Sequence, residues 1–132
     1  MFTFDTTSDP FLRMSLTGTV TEDDERSYLE ALKQLSERQS PFGLISIIDI
    51  ESGEVTHETR RAQNMWFKEN RAHLAEVCFG LVRVRPKIDP EESDEAFIRA
   101  MPFPTRRVAR EEDVLPILRD WLELYDNKRG QA

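Results

Sequence analysis

Apolar and polar residues alternate with a period of two at the start of the chain: Phe2 and Phe4 with Thr3 and Asp5, then Leu12, Met14 and Leu16 with Arg13, Ser15 and Thr17. Successive side chains of a strand point to opposite faces, so each segment predicts a half-buried strand. The turn formers from Thr6 to Pro10 join them into an expected antiparallel hairpin that ends at Gly18. The stretch Leu44 to Asp49 differs, being apolar on both alternating faces. That pattern predicts a central strand covered on both sides, the mark of a parallel or mixed sheet between helices.

Between these strands the period lengthens. Tyr28, Leu29, Leu32 and Leu35 recur at helical spacing behind Thr21, an N-cap residue followed by Glu22, Asp23 and Asp24, whose charges suit the positive end of a helix. Ser40-Pro41 is expected to stop that helix, because proline lacks an amide hydrogen and restricts the residue before it. A second helix opens at Thr56, with Ala62, Met65, Trp66 and Ala72 as its inward stripe and Arg60, Arg61, Lys68 and Glu69 on the wet side. Trp66 and Phe67 are adjacent and are not both expected to point inward, so one of them is expected to face a partner or an apolar pocket. Val77 to Val84 reads as a strand. The acids of Glu91 to Glu95 then lead into a short helix carrying Ala96, Phe97, Ala100 and Met101. Thr105 to Ala109 suits a short strand. A last helix from near Glu111 accepts Pro116 in its first turn and sets Val114, Ile117, Leu118, Trp121 and Tyr125 on one face.

The expected order is β-β-α-β-α-β-α-β-α, a single α/β domain with a mixed sheet and helices packed on it. The domain is expected over residues 1–126, with 127–132 a frayed tail. At 132 residues the chain is long enough for one compact core, and its 39% apolar and 33% charged residues describe a folded, soluble domain.

Charge narrows the function. A formal net charge of -7 argues against nucleic acid, which needs several cations to displace phosphate counterions. Cys78 is the only cysteine, so no intrachain disulfide or multi-thiolate metal site forms and no cofactor is expected. The chain shows neither an export signal nor an apolar run that spans a bilayer, and a reducing cytoplasm is the expected setting. His57 and His73 would stand about 24 Å apart on one continuous helix, too far to share a site. Cys78 on an apolar strand reads as a buried, inert thiol. The acids Asp89, Glu91, Glu92, Asp94 and Glu95 read as a solvated helix start rather than a cation loop. Arg83, Arg85 and Lys87 alternate along one strand, and Arg106, Arg107 and Arg110 lie on or beside the last. Were those strands neighbours, Arg83, Arg85 and Arg107 would form an anion patch or be neutralised locally by nearby acids. Thr56 and Ser52 are candidate regulatory hydroxyls, each with an ordinary structural alternative, a helix N-cap for Thr56 and a turn serine for Ser52.

Gly18-Thr19-Val20-Thr21 with Asp24, the strand Leu44 to Asp49, and Pro102-Phe103-Pro104 with Val108, Glu112 and Trp121-Leu122 together resemble the STAS superfamily, in particular its stand-alone bacterial SpoIIAA-like branch. The resemblance implies a noncatalytic regulatory domain that acts through protein contacts, including self-association as a homodimer, with Trp66 and Phe67 as a candidate interaction surface. In signalling members of that family a phosphorylatable hydroxyl stands at the start of the second helix, where this chain has Thr56. The wider fold also resembles the CRAL-TRIO lipid-transfer domains. That implies an alternative, a small apolar or amphipathic ligand held between the sheet and the second helix.

Overall fold

A computed structural model describes residues 1–52, 55–87 and 95–130. Five strands form one mixed sheet in the order β1-β2-β3-β4-β5. They are β1 (Phe2–Asp5), β2 (Phe11–Thr19), β3 (Phe42–Ser52), β4 (Cys78–Val84) and β5 (Thr105–Val108). β1 pairs antiparallel with β2, as the hairpin pattern predicts, and the remaining neighbours are parallel. The doubly apolar β3 lies at the centre with β2 beside it.

The helices are α1 (Glu22–Glu37), α2 (His57–Glu69), α3 (Arg71–Val77), α4 (Glu95–Ala100) and α5 (Val114–Gly130), the last entered through a 3-10 turn at Glu111–Asp113. Two boundaries depart from the sequence reading. The expected second helix is two, broken at Asn70, whose side-chain amide donates to the Trp66 carbonyl at 2.9 Å while its own carbonyl accepts from Leu74 N. An asparagine amide bonded to the backbone four residues back competes with the helix ladder locally; the second piece, α3, runs on to Val77, which closes it instead of opening β4. Ala72 is exposed, and Leu74 and Val77 make the inward contacts of α3. At the other end, α5 runs on to Gly130, past the frayed tail expected after Asp126. Tyr125 Oη donates to the Glu76 carbonyl at 2.5 Å and Arg129 adds a bond to the same carbonyl at 3.4 Å, tying that end of α5 to α3.

α1 begins as its sequence requires. Thr21 Oγ1 accepts from Asp24 N, and the Asp24 carboxylate accepts from Thr21 N at 2.9 Å, a reciprocal capping box. The same carboxylate accepts from Phe2 N at 3.0 Å and lies 3.3 Å from the N-terminal ammonium, which pins the helix start to β1.

The sheet separates two apolar clusters. On one face Leu12, Met14, Leu32, Leu35, Phe42, Leu44, Leu74 and Leu81 pack beneath α1, α2, α3 and α4. On the other, Ile45, Ile47, Phe79, Val82 and Val84 meet Val114, Leu118 and the partly buried Trp121 of α5. α5 approaches closely because the strands below it carry glycine. Phe42 pairs with Cys78 and Gly43 with Gly80, so Phe79 is an inserted bulge residue. A Cβ at Gly80 would run into the Trp121 ring, and one at Gly43 into Phe79.

Candidate functional site

Thr56 is the N-cap of α2. Its hydroxyl accepts from Thr59 N at 3.2 Å and donates to Thr59 Oγ1 at 3.1 Å, while its backbone N–H donates to Glu25 Oε1 at 2.5 Å. The hydroxyl is therefore engaged in the cap, and a phosphoryl group on it would break the cap beside a carboxylate. Ser52, the second candidate, is the last residue of β3. The acidic run from Asp89 to Asp94 lies outside the described residues; Glu95 opens α4 and pairs with Arg99 at 2.6 Å.

Trp66 and Phe67 correct the expectation that one ring of the pair turns outward. Both are partly buried and pack against the α1-side cluster. Their rings meet edge to face at 5.0 Å, and Phe67 meets Phe97 of α4 edge to face at 6.5 Å. Adjacent helical residues diverge by about 100°, so both are covered only because α4 folds over the second of them. Residues spaced three and four apart then fix the inward face of α2 as Thr59, Ala62, Gln63, Trp66 and Phe67. Met65, expected on that face, is 53% exposed.

Arg83 and Arg107 are cross-strand neighbours on β4 and β5, as the anion-patch reading requires. The Arg83 guanidinium stacks on the Phe97 ring at 4.2 Å, and both arginines have further partners. Arg83 thus serves to hold α4 on the sheet. Arg85 donates its backbone N–H to the Val108 carbonyl at 3.0 Å. Lys87 lies 3.1 Å from Asp49 Oδ1, and Arg110 pairs with Glu112 and Asp113.

Among the described residues the titratable groups do not converge. Cys78 is 3% exposed, and burial pushes its thiol up to about 12, which leaves it protonated and unreactive at neutral pH. His73 Nε2 lies 2.7 Å from the Arg38 carbonyl. His57 sits on the exposed side of α2, 3.4 Å from Arg61. Tyr28 donates to Gln63 Oε1 at 2.6 Å beside a cavity of about 70 Å³ beneath α1 and α2, and burial raises its phenol above the usual range. Among the described residues no three acids, histidines or cysteines are grouped as a metal would need, and no helix is long and apolar enough to cross a membrane.

Of the open surfaces, two bear on recognition. A cleft of about 530 Å³ is lined by Phe11, Arg13 and Ile45 of the sheet and by Glu111, Val114 and Leu115 at the start of α5, with Arg13 and Glu111 paired at 2.7 Å. The outer side of α2 presents His57, Arg60, Arg61, Asn64, Met65 and Lys68 along a shallow, open surface. Sequence reasoning placed its three cations in solvent correctly but missed Met65, because three consecutive apolar residues, Met65-Trp66-Phe67, leave the inward pair undetermined until the cover over Phe67 is known. Compared with protein-family models, curated proteins and solved structures, the chain matches none.

Proposed function

We propose that the chain is a noncatalytic, STAS-like regulatory domain that works by binding another protein. The observation that supports this reading is the closed space between the sheet and α2. Phe2, Met14, Tyr28, Ser46 and Gln63 leave only about 70 Å³ there, against roughly 300 to 1,000 Å³ for small-molecule sites. Recognition then falls to the exterior. The local resemblances at Gly18 to Asp24 and Pro102 to Leu122 point the same way, and a bacterial cytoplasm and a homodimer belong to the same proposal.

Size-exclusion chromatography of a cell extract with light scattering and mass spectrometry of the eluted complex tests it. The 15.4 kDa chain is expected to elute above its own mass with a stoichiometric protein partner or a second copy. Elution as a monomer that carries an extractable apolar compound would replace the proposal with the ligand-binding reading. One observation favours that second reading, the cleft at the start of α5 with Phe11, Ile45, Val114 and Leu115 in its lining. Its ligand would lie there, on the opposite face of the sheet from α2.

A further inference from the structure

Several cations on this acidic chain form ion pairs with carboxylates among the described residues. Arg13 pairs with Glu111, Arg38 with Asp9, Lys87 with Asp49, Arg99 with Glu95, and Arg110 with Glu112. The outer side of α2 instead gathers cations without such a pair on one helix face. Arg60, Arg61 and Lys68 are exposed and make no ion pair among the described residues, although the chain carries 25 acids against 18 lysines and arginines. His57, Arg61, Asn64 and Lys68 follow one another at helical spacing, with Arg60 beside them, along a line about 16 Å long. Met65 stands next to this line, half exposed, and Glu58 and Glu69 lie beyond it at the edge.

We propose that this stripe docks an acidic segment of a partner protein, with an aliphatic side chain of that segment seated on Met65. The inference rests on the protein-binding reading above and specifies the partner's chemistry. Unneutralised cations in register attract carboxylates spaced along a chain, and an extended segment of about five residues spans the same 16 Å. As occupant of this stripe a second copy ranks below an acidic segment, since a chain of net charge -7 has fewer acids in register than a dedicated acidic segment, and the homodimer of the reading above would use another surface. A nucleic acid would meet three cations, flanked by Glu58 and Glu69, on a chain of net charge -7. One helix face is a small interface, so the complex is weak and exchanges quickly.

Fluorescence anisotropy with a labelled peptide of alternating glutamate and leucine tests the stripe on the full chain. Saturable binding is expected, weakening roughly tenfold as NaCl rises from about 0.05 M to about 0.5 M. The double variant Arg60→Glu with Arg61→Glu should abolish it. The double variant Lys33→Glu with Arg119→Glu makes the same change in net charge at exposed, unpaired cations elsewhere, and should bind almost as the parent does. No binding, equal loss in both variants, or equal binding of a single-stranded DNA of similar length overturns the proposal. Thermal melts of both variants confirm that folding is kept. A photo-crosslinker at position 65 separates this inference from the reading beneath it. A protein captured there regardless of salt and of Arg60→Glu with Arg61→Glu would remove the acidic partner and leave the protein-binding role. Failure to capture anything, together with monomeric elution, would remove both.

Discussion

Gly80 shows how a single hydrogen atom sets the position of a helix. The Trp121 ring occupies the space that any side chain at Gly80 would need. Gly80→Ala should therefore force α5 outward and cost roughly 1 to 3 kcal/mol in urea melts, as overpacking of a filled core does. A neutral result would mean that α5 slides freely over β4. Asp24 carries the other single-residue argument. The Thr21 backbone N–H, then the Thr21 hydroxyl, the Phe2 N–H and the N-terminal ammonium hold its carboxyl down at about 2, from an ordinary value of 3.8. Because the folded value is the lower one, the stabilisation is complete above the unfolded value and is lost as pH falls through that window toward 2. Asp24→Asn should melt at lower temperature than the parent at pH 7, and the gap should shrink as pH falls toward 2 and close below it. A gap that persists in acid would locate the effect in the lost side-chain geometry instead of the charge.

At the scale of elements, the central strand, the hairpin and the face of α5 were legible because their determinants are local. A strand that is apolar on both sides belongs inside a sheet wherever it occurs, and Val114, Ile117, Leu118, Trp121 and Tyr125 fall on one side of any helix that contains them. The break at Asn70 had a local signal too, in an asparagine that favours helix ends. The orientation of α2 did not. Phe67 turns inward because Phe97 covers it, and α4, which supplies that ring, has no buried residue of its own and is held by Phe97, Met101, the Arg83 stack and a bond from Arg71 to the Ala100 carbonyl. A contact between residues thirty positions apart leaves no mark on periodicity. If this account of α4 is right, Phe97→Ala should raise amide exchange across Glu95–Ala100 while exchange in β3 stays unchanged. Protection retained in α4 would show that backbone bonds hold it without the aromatic contacts.

Across the whole molecule, the sheet divides the core into two clusters that share strands but no facing side chains. Leu35 is on the buried face of α1 on one side, and Ile47 belongs to the cluster beneath α5 on the other. Both are nearly inaccessible, so each truncation leaves a void that its own layer must absorb. Leu35→Ala should cost about 2 to 5 kcal/mol and Ile47→Val about 0.5 to 1.5 kcal/mol. Since neither residue packs into the other's cluster, the double variant should lose the sum of the two within about 0.5 kcal/mol. The two layers are nonetheless one cooperative unit, because β3 and β4 contribute side chains to both. Urea unfolding of the parent and all three variants should therefore follow single transitions with one common slope. An interaction energy above about 1 kcal/mol would mean that strain passes through the sheet from one layer to the other, and a second transition would mean that α5 and its cluster melt apart from the rest.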